Sequence, residues 1–121
     1  MKSNAFDPDD VGTSSREIEP TTMFEALSHE RRQYALQYLA QKPAAVPLGD
    51  VAEYIAVREG EPTRDRYERI LTGFYHLHLP HLLEAKLIAY DEGRKTVTLR
   101  VNRDVLHPYL DLLTAKTCRS H

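Results

Sequence analysis

The sequence contains a single cysteine, Cys118, among its 121 residues. One thiol cannot form a disulfide within the chain, so a disulfide-stapled extracellular scaffold is excluded and a reducing, cytoplasmic location is expected. Long apolar segments are also missing, because no stretch approaches the roughly 18 consecutive apolar residues of a membrane-spanning helix. The first 20 residues have no apolar segment after Lys2 and do not read as a secretory signal. We expect a soluble protein in which Cys118 is a bystander.

A strong excess of charge of one sign is absent as well. The formal net charge is -2 at pH 7, and residues 1–20 hold two basic and five acidic side chains, which leaves about +1 for residues 21–121. The chain therefore lacks the broad positive field of an obvious nucleic-acid-binding domain. Any contact with nucleic acid must come from the local placement of cations. The acidic segment at residues 1–20 has no apolar periodicity and is predicted to be a disordered tail.

Signatures of catalysis are not found either. The sequence has no glycine-rich phosphate loop, no nucleophile elbow and no convincing Ser–His–Asp or Cys–His arrangement. We therefore expect that the protein is not an enzyme and needs no cofactor. The apolar fraction of 41% is ordinary for one globular domain with its own core.

Helical periodicity begins directly after the acidic tail. The segment TTMFEAL predicts a short helical turn, and its apolar residues are Met23, Phe24 and Leu27. Ser28 stands where an N-cap is expected, before the helical segment HERRQYALQYLAQK, which ends at Pro43. Two helices in succession are therefore predicted in the first part of the domain.

The middle of the chain predicts a short extended piece and two more helices. Val46–Leu48 is extended, and a helix follows from about Gly49 to Arg58. Thr63 is a suitable cap for the segment RDRYERILTGFYHLHLPHLLEA, which ends near Lys86 and is the longest helix of the chain.

A hairpin and a last helix complete the pattern. LIAY and TVTLRV alternate as half-buried strands and flank the loop DEGRK. The segment RDVLHPYLDLLTAKTC predicts a helix whose first turn is separable from the rest at Pro108. The order predicts a mainly α fold with a small β-hairpin, a winged helix-turn-helix. Its domain would span residues 21–101, with an extra C-terminal helix in residues 102–121.

Two stretches resemble ArsR-like winged helix-turn-helix regulators. ALSHERRQYALQYL resembles the opening of that family, at Leu27, Ser28, His29 and Arg32. HLPHLLEAKLI resembles the end of its recognition helix, at His78, Leu79, Leu82, Ala85, Leu87 and Ile88. Together with RYERIL and a D-x-x-R-K-x-V wing, the string is most similar to a haloarchaeal winged-helix domain family of unassigned function. The resemblance covers roughly residues 24–101 and implies a DNA-binding transcriptional regulator.

The sequence departs from the ArsR-like pattern in three places. Lys86 stands where the family has glycine, and Pro80 lies inside the long helix, where it removes a backbone donor. The segment at residues 57–69 also lengthens the usual helix-turn-helix. A kinked long helix and altered docking into a DNA groove are therefore expected.

The long helix carries a polar stripe that suits contact with DNA. On a wheel of about 100° per residue, apolar residues form two stripes, the second of them through Ile70, Phe74, Leu77 and His81, and leave a gap between them. The predicted DNA-contacting residues of this helix are Arg66, Arg69, Thr72, Gly73 and His76. Cations, a hydroxyl, a bare backbone position and an imidazole suit phosphates and base edges in a major groove. The alternative is a solvated helix face, since Asp65 and Glu68 alternate with the arginines and suit ion pairs.

Three histidines fall within six residues of the long helix: His76, His78 and His81. A helical metal pair needs positions i and i+4, which none of these pairs has, so no metal site is predicted. Only His78 and His81 share a side, with Glu84 as the one possible further ligand. His78 is predicted to be a half-buried packing residue, and His81 a packing or interface residue. His76 alone is expected to face outward.

Two other groups of cations have competing interpretations. Arg94 and Lys95 lie at the tip of the wing and suit phosphate contact, although Asp91 and Glu92 beside them dilute the field. Arg31 and Arg32, at the start of the second helix, oppose the helix dipole, and pairing of Arg32 within the fold is favoured over a phosphate partner.

The C-terminal helix has more apolar surface than one small helix usually hides. With the first helical turn it is predicted to form a homodimer interface, since most soluble oligomers are two-fold. The residues predicted for this interface are Met23, Phe24, Leu27, Leu106, Tyr109, Leu110 and Leu113. The leading hypothesis is thus a dimeric regulator that binds double-stranded DNA. Its rivals are a winged-helix module for protein interaction and, less favoured, a metal- or ligand-responsive regulator that uses His78 and His81.

Overall fold

The computed structural model describes the backbone of residues 18–119 and the side chains of residues 18–113. The predicted tail up to residue 17 and the side chain of Cys118 lie outside the described residues. The helices are α1 (Pro20–Ala26), α2 (Glu30–Ala40), α3 (Leu48–Arg58), α4 (Arg64–Gly73), α5 (Leu79–Glu84) and α6 (Arg103–Arg119). A π turn, Phe74–His78, joins α4 to α5, and the three pieces are called the long helix below.

The strands form a small antiparallel sheet beside the helices. They are β1 (Val46–Pro47), β2 (Ile88–Asp91) and β3 (Thr96–Leu99), in the order β1-β3-β2. Val97 of β3 pairs with Val46 on one side and with Tyr90 on the other. The wing consists of β2, β3 and the loop at residues 92–95. The predicted mainly α, winged helix-turn-helix fold is confirmed, and β1 extends the predicted hairpin to three strands.

One core joins all of these elements. Its fully buried residues include Leu36 of α2, Ile55 of α3, Ile70 of α4, Leu82 of α5 and Leu106 of α6. Each such side chain contributes roughly 1.5–3 kcal/mol relative to an exposed one. α6 is continuous from Arg103 and contains Pro108 without a break, so its first turn is not separate. The C-terminal helix is therefore part of the domain's core.

The helix caps agree with the sequence at one position and differ at another. Thr63 caps α4, because its Oγ1 accepts a hydrogen bond from the backbone N–H of Arg66 at 3.1 Å. Ser28 does not cap α2 as predicted. Its hydroxyl donates to the carbonyl of Glu25 at 2.7 Å, and His29 is the cap position. The hydroxyl is used in the tight turn that closes α1.

The long helix contains one turn that is wider than an α-turn. Pro80 has no N–H to donate to the carbonyl four residues before it, and the π turn precedes it directly. A π turn adds about one residue, so the buried side of the helix shifts along the sequence. Leu79 is buried while Leu77 is 67% exposed and His81 is exposed. The predicted apolar stripe through Leu77 and His81 is therefore wrong.

The long helix ends in a conformation that favours glycine, and Lys86 adopts it. Lys86 has φ 64°, the left-handed conformation that glycine adopts at no steric cost. Its N–H donates to the carbonyl of Leu83 at 3.0 Å, and the N–H of Leu87 donates to that of Leu82 at 3.1 Å. These two bonds form a Schellman motif, which places Lys86 at the position where glycine is most frequent.

Among the described helices, none combines the length and apolar character that crossing a membrane requires.

Candidate nucleic-acid interface

A groove of about 470 Å³ runs between the long helix and the wing. Thr72 and His76 line it from the helix, and Arg94 and Lys95 line it from the wing. Its remaining residues are Pro47, Leu48, Gly49, Tyr67, Leu71, Tyr75, Tyr90 and Glu92. The fold thus brings together four of the seven predicted DNA-contacting residues. Two of them come from the long helix and two from the wing, which are separate segments of the sequence.

The conformation of the wing loop leaves the side chains of Arg94 and Lys95 exposed to solvent. The carboxylate of Asp91 accepts a hydrogen bond from the backbone N–H of Arg94 at 3.2 Å. The carbonyl of Lys95 accepts one from the backbone N–H of Leu48, at the start of α3, at 3.0 Å. Both cationic side chains are exposed, and neither forms an ion pair with any side chain in residues 18–113. Their charges are therefore available to an anion.

Gly73 leaves an open position on the long helix, next to Thr72. Its backbone is helical, with φ -64°, and a Cβ built there would have no heavy atom within 4 Å among its described surroundings. Neither the conformation nor the packing requires glycine, although glycine costs about 0.5–1 kcal/mol relative to alanine inside a helix. A residue that weakens the helix without serving the fold is consistent with close approach of another molecule to this backbone.

Arg66 belongs to an ion-pair network within the fold. Glu59, at the end of α3, lies 3.7 Å from Arg66 and receives a hydrogen bond of 2.7 Å from Arg31 of α2. Arg66 also pairs closely with Glu61. The network ties three helices together around the turn between α3 and α4. Arg66 does not line the groove, and its charge is already neutralised by Glu59 and Glu61.

Arg69 is available to contact DNA, because its ion pair within the fold is exposed and weak. It lies 3.2 Å from Asp65, and both side chains are 76% exposed. Such an exposed pair between residues i and i+4 contributes only about 0.3–0.5 kcal/mol. A phosphate could replace the carboxylate at little cost, so Arg69 remains a candidate beside the groove, although it does not line it.

His78 occupies the core side of the π turn. Its Nδ1 accepts a hydrogen bond from Nε of Arg32 at 3.2 Å, and its ring lies 5.3 Å from the ring of His29. Burial, reinforced by the Arg32 charge, lowers the pKa of His78 from 6.5 to about 4. His78 is thus the packing residue that the sequence predicts, and Arg32 pairs within the fold as expected.

The remaining histidines are on the surface. His76 is exposed in the groove, as predicted, whereas His81 is exposed instead of packed. Within the described residues, no group of three His, Cys, Asp or Glu side chains is placed to hold a metal ion.

The predicted dimer surface is only partly on the outside of the chain. Four of its seven residues are buried in the chain's own core: Met23, Leu27, Leu106 and Leu110. They cannot face a partner without opening the domain, because they belong to its buried hydrophobic core. Phe24 is 57% exposed, and its ring meets that of Tyr109 at 5.3 Å. Leu113 is half-buried against the core, and Leu112, which the sequence reasoning omitted, is 62% exposed.

The structure adds a contact across the groove that the sequence did not suggest. The hydroxyl of Tyr75, on the π turn, donates to a carboxylate oxygen of Glu92, on the wing, at 3.1 Å. This bond raises the pKa of the Tyr75 hydroxyl. The two residues lie 17 positions apart, and no local pattern connects them. The tethered carboxylate places one negative charge among the groove's cations.

A protein-family model described as Domain of unknown function (DUF7344) matches residues 24–98. The matched region runs from α1 through the long helix to β3 and includes every residue that lines the groove. No curated protein and no solved structure matches the chain.

Proposed function

The chain belongs to the family Domain of unknown function (DUF7344), and we propose that it is a DNA-binding transcriptional regulator of the winged-helix type. The observation that carries the proposal is the groove in which Thr72 and His76 face Arg94 and Lys95. Groups that suit base edges and groups that suit phosphates line one surface there, as a winged helix docked on duplex DNA requires. The resemblance to ArsR-like regulators supports the same function and a cytoplasmic location.

Each part of the surface has its own role. The long helix enters the major groove, where the Thr72 hydroxyl, the His76 imidazole and Arg69 contact base edges. Arg94 and Lys95 on the wing hold backbone phosphates, which set position and orientation. Gly73 lets the DNA approach the helix backbone closely. The protein acts as a homodimer, with Phe24, Tyr109 and Leu112 in the interface.

A second function is favoured by one observation. Leu77 is 67% exposed beside His76, and an exposed leucine next to the groove suits a protein partner better than DNA. The chain would then be a winged-helix module for protein interaction, and its groove would bind no duplex. Measurement of DNA binding separates the two functions.

The test is fluorescence anisotropy with a labelled 30-bp random-sequence duplex at several salt concentrations. The double variant His76→Ala/Arg94→Ala should bind at least about tenfold more weakly and show a shallower salt dependence, because it loses a base contact and a phosphate contact. The matched control is His107→Ala/Arg100→Ala, which removes two exposed side chains of the same types outside the groove. The control should bind like the parent chain.

Two results would contradict the proposal. One is a parent chain whose binding does not change with salt, since phosphate contacts always release counterions. The other is a double variant that binds as tightly as its control.

A further inference from the structure

The charged side chains that line the groove are two cations and one anion: Arg94, Lys95 and Glu92. All three belong to the same wing loop. The cations have no ion-pair partner among residues 18–113, although a carboxylate lies only two and three positions before them in the sequence. The loop therefore does not neutralise itself.

Glu92 reaches across the groove instead. Its Oε2 accepts the hydrogen bond from the Tyr75 hydroxyl at 3.1 Å, and Tyr75 in turn lies edge-on to Tyr90 at 6.1 Å. The carboxylate is held between the wing and the long helix, with Arg94 and Lys95 on its own side. A phosphate that moved from the wing toward the helix would meet this negative charge.

We propose that Glu92 is a specificity-determining residue that keeps DNA backbone phosphates away from the long-helix side of the groove. The inference rests on the proposed function, because it concerns how the same groove selects DNA. A fixed carboxylate repels the phosphates of a duplex that is held only through its backbone and can shift toward the long helix, so it lowers non-specific affinity. A duplex whose bases contact Thr72 and His76 is held with its phosphates on the wing and away from the carboxylate, so it meets less of that repulsion. The tyrosine positions the carboxylate, and it makes no contact with DNA itself.

The key variant is Glu92→Gln, which keeps the size of the side chain and an oxygen that can accept from Tyr75. Two probes are used: the random-sequence 30-bp duplex, and a duplex that the parent chain enriches from the same random pool. Without the charge, affinity for the random duplex should rise about fivefold at 50 mM salt. This factor is the one expected from the interaction of two unit charges about 4 Å apart in water. The gain should shrink at 300 mM salt because of screening. Affinity for the enriched duplex should change less, so discrimination between the two probes falls.

The variant Tyr75→Phe distinguishes the effect of the Glu92 charge from the effect of the hydrogen bond that Tyr75 donates to Glu92. This variant keeps the carboxylate but releases it, so that it can fold back onto the cations of its own loop. It should bind the random duplex no more tightly than the parent. Glu84→Gln, an exposed carboxylate of α5 that does not line the groove, is the control for the change in net charge. It should leave affinity unchanged.

Several outcomes overturn the assignment of Glu92. If Tyr75→Phe tightens binding to the random duplex and Glu92→Gln does not, the hydrogen bond and not the charge is responsible. If Glu92→Gln improves both probes equally, the carboxylate confers no specificity. If Glu92→Gln has no effect while His76→Ala/Arg94→Ala still weakens binding, Glu92 has no such role and the proposed function stands. If neither the parent nor Glu92→Gln binds any duplex at 50 mM salt, the proposed function itself fails.

Discussion

A single buried contact shows how one histidine can be structural in a stretch that contains three. His78 accepts a hydrogen bond from Arg32, a residue that is 5% exposed and whose guanidinium also donates to the carbonyl of Glu25 at 3.1 Å. No carboxylate bonds to this buried cation among the described residues, so a neutral imidazole is the acceptor that it needs. Protonation of His78 would remove that acceptor and bring two positive charges together.

This contact predicts a stability that depends on pH. The pKa of His78 is lowered from 6.5 in the unfolded chain to about 4 in the folded one. Between these values the unfolded chain binds more protons, so the contribution is complete above pH 6.5 and is lost as pH falls to about 4. The loss should reach about 2–3 kcal/mol, measured as urea unfolding at a series of pH values.

The matched variants for the pH experiment are His78→Gln and His81→Gln. Glutamine at position 78 still offers an acceptor to Arg32 but does not titrate, so its stability should change less between pH 6.5 and 4. His81 is exposed, and its variant should follow the parent curve. Equal pH dependence in all three chains would contradict the assignment.

Two elements end in the same unusual way. The long helix ends at Lys86 with φ 64°, and the wing loop ends at Lys95 with φ 56°. A non-glycine residue in this conformation costs roughly 1 kcal/mol. Lys86 terminates a helix away from the groove, whereas Lys95 lines the groove. The backbone strain at Lys95 therefore occurs at a residue proposed to contact DNA phosphates. The strain at Lys86 occurs at a residue with no proposed functional role.

Glycine substitutions at these two positions should separate strain from function. Lys86→Gly and Lys95→Gly should each raise the free energy of unfolding by about 0.5–1 kcal/mol, because glycine adopts the left-handed conformation without steric cost. Only Lys95→Gly should also weaken duplex binding, since it removes a phosphate contact. Denaturant unfolding and anisotropy measure the two effects. Unchanged DNA affinity in Lys95→Gly would show that this lysine does not contact phosphate.

The wide turn of the long helix has consequences for the whole surface beside it. A helical wheel assumes about 100° per residue throughout, and it places Leu77 and His81 on a buried stripe. The π turn before Pro80 changes that spacing, so this stripe is correct at Phe74 and wrong at Leu77 and His81. Proline itself was visible in the sequence. The sequence did not show how the helix would accommodate this proline, because a kink, a break and a wide turn are all compatible with the missing N–H donor.

At the scale of the whole molecule, the C-terminal helix both completes the core and offers a surface. Its buried residues, Leu106 and Leu110, are part of the core, while Leu112 is exposed and Phe24 of α1 packs edge-on against Tyr109. α1 and α6 thus share an apolar edge. A winged helix that reads DNA as a dimer needs such a surface away from its groove.

We therefore expect a homodimer whose interface depends on this edge. Sedimentation equilibrium should give twice the chain mass for the parent and the single chain mass for Phe24→Ser/Leu112→Ser. The control is Val57→Ser, because Val57 on α3 is as exposed as Phe24, at 57%. It should remain dimeric. A parent chain that sediments as a monomer, or a control that dissociates like the double variant, would remove the proposed interface.

The sequence by itself determined the order of elements, the fold class, the cap at Thr63 and the outward position of His76. All of these depend on local periodicity, on capping chemistry or on strand alternation, which act over a few neighbouring residues. Buried and exposed apolar residues of α1 and α6 looked alike for the same reason: a local pattern shows that a residue is apolar but not which surface covers it.

Only the tertiary structure decided which candidates share a surface. It paired Glu92 with Tyr75, tied Arg66 to Glu59, and set Thr72 and His76 opposite Arg94 and Lys95. Such contacts depend on where separate elements meet, and no spacing along the chain specifies that geometry. The charge that the groove presents to DNA is a property of the folded chain, because it depends on which cations are already neutralised and where the one carboxylate is held.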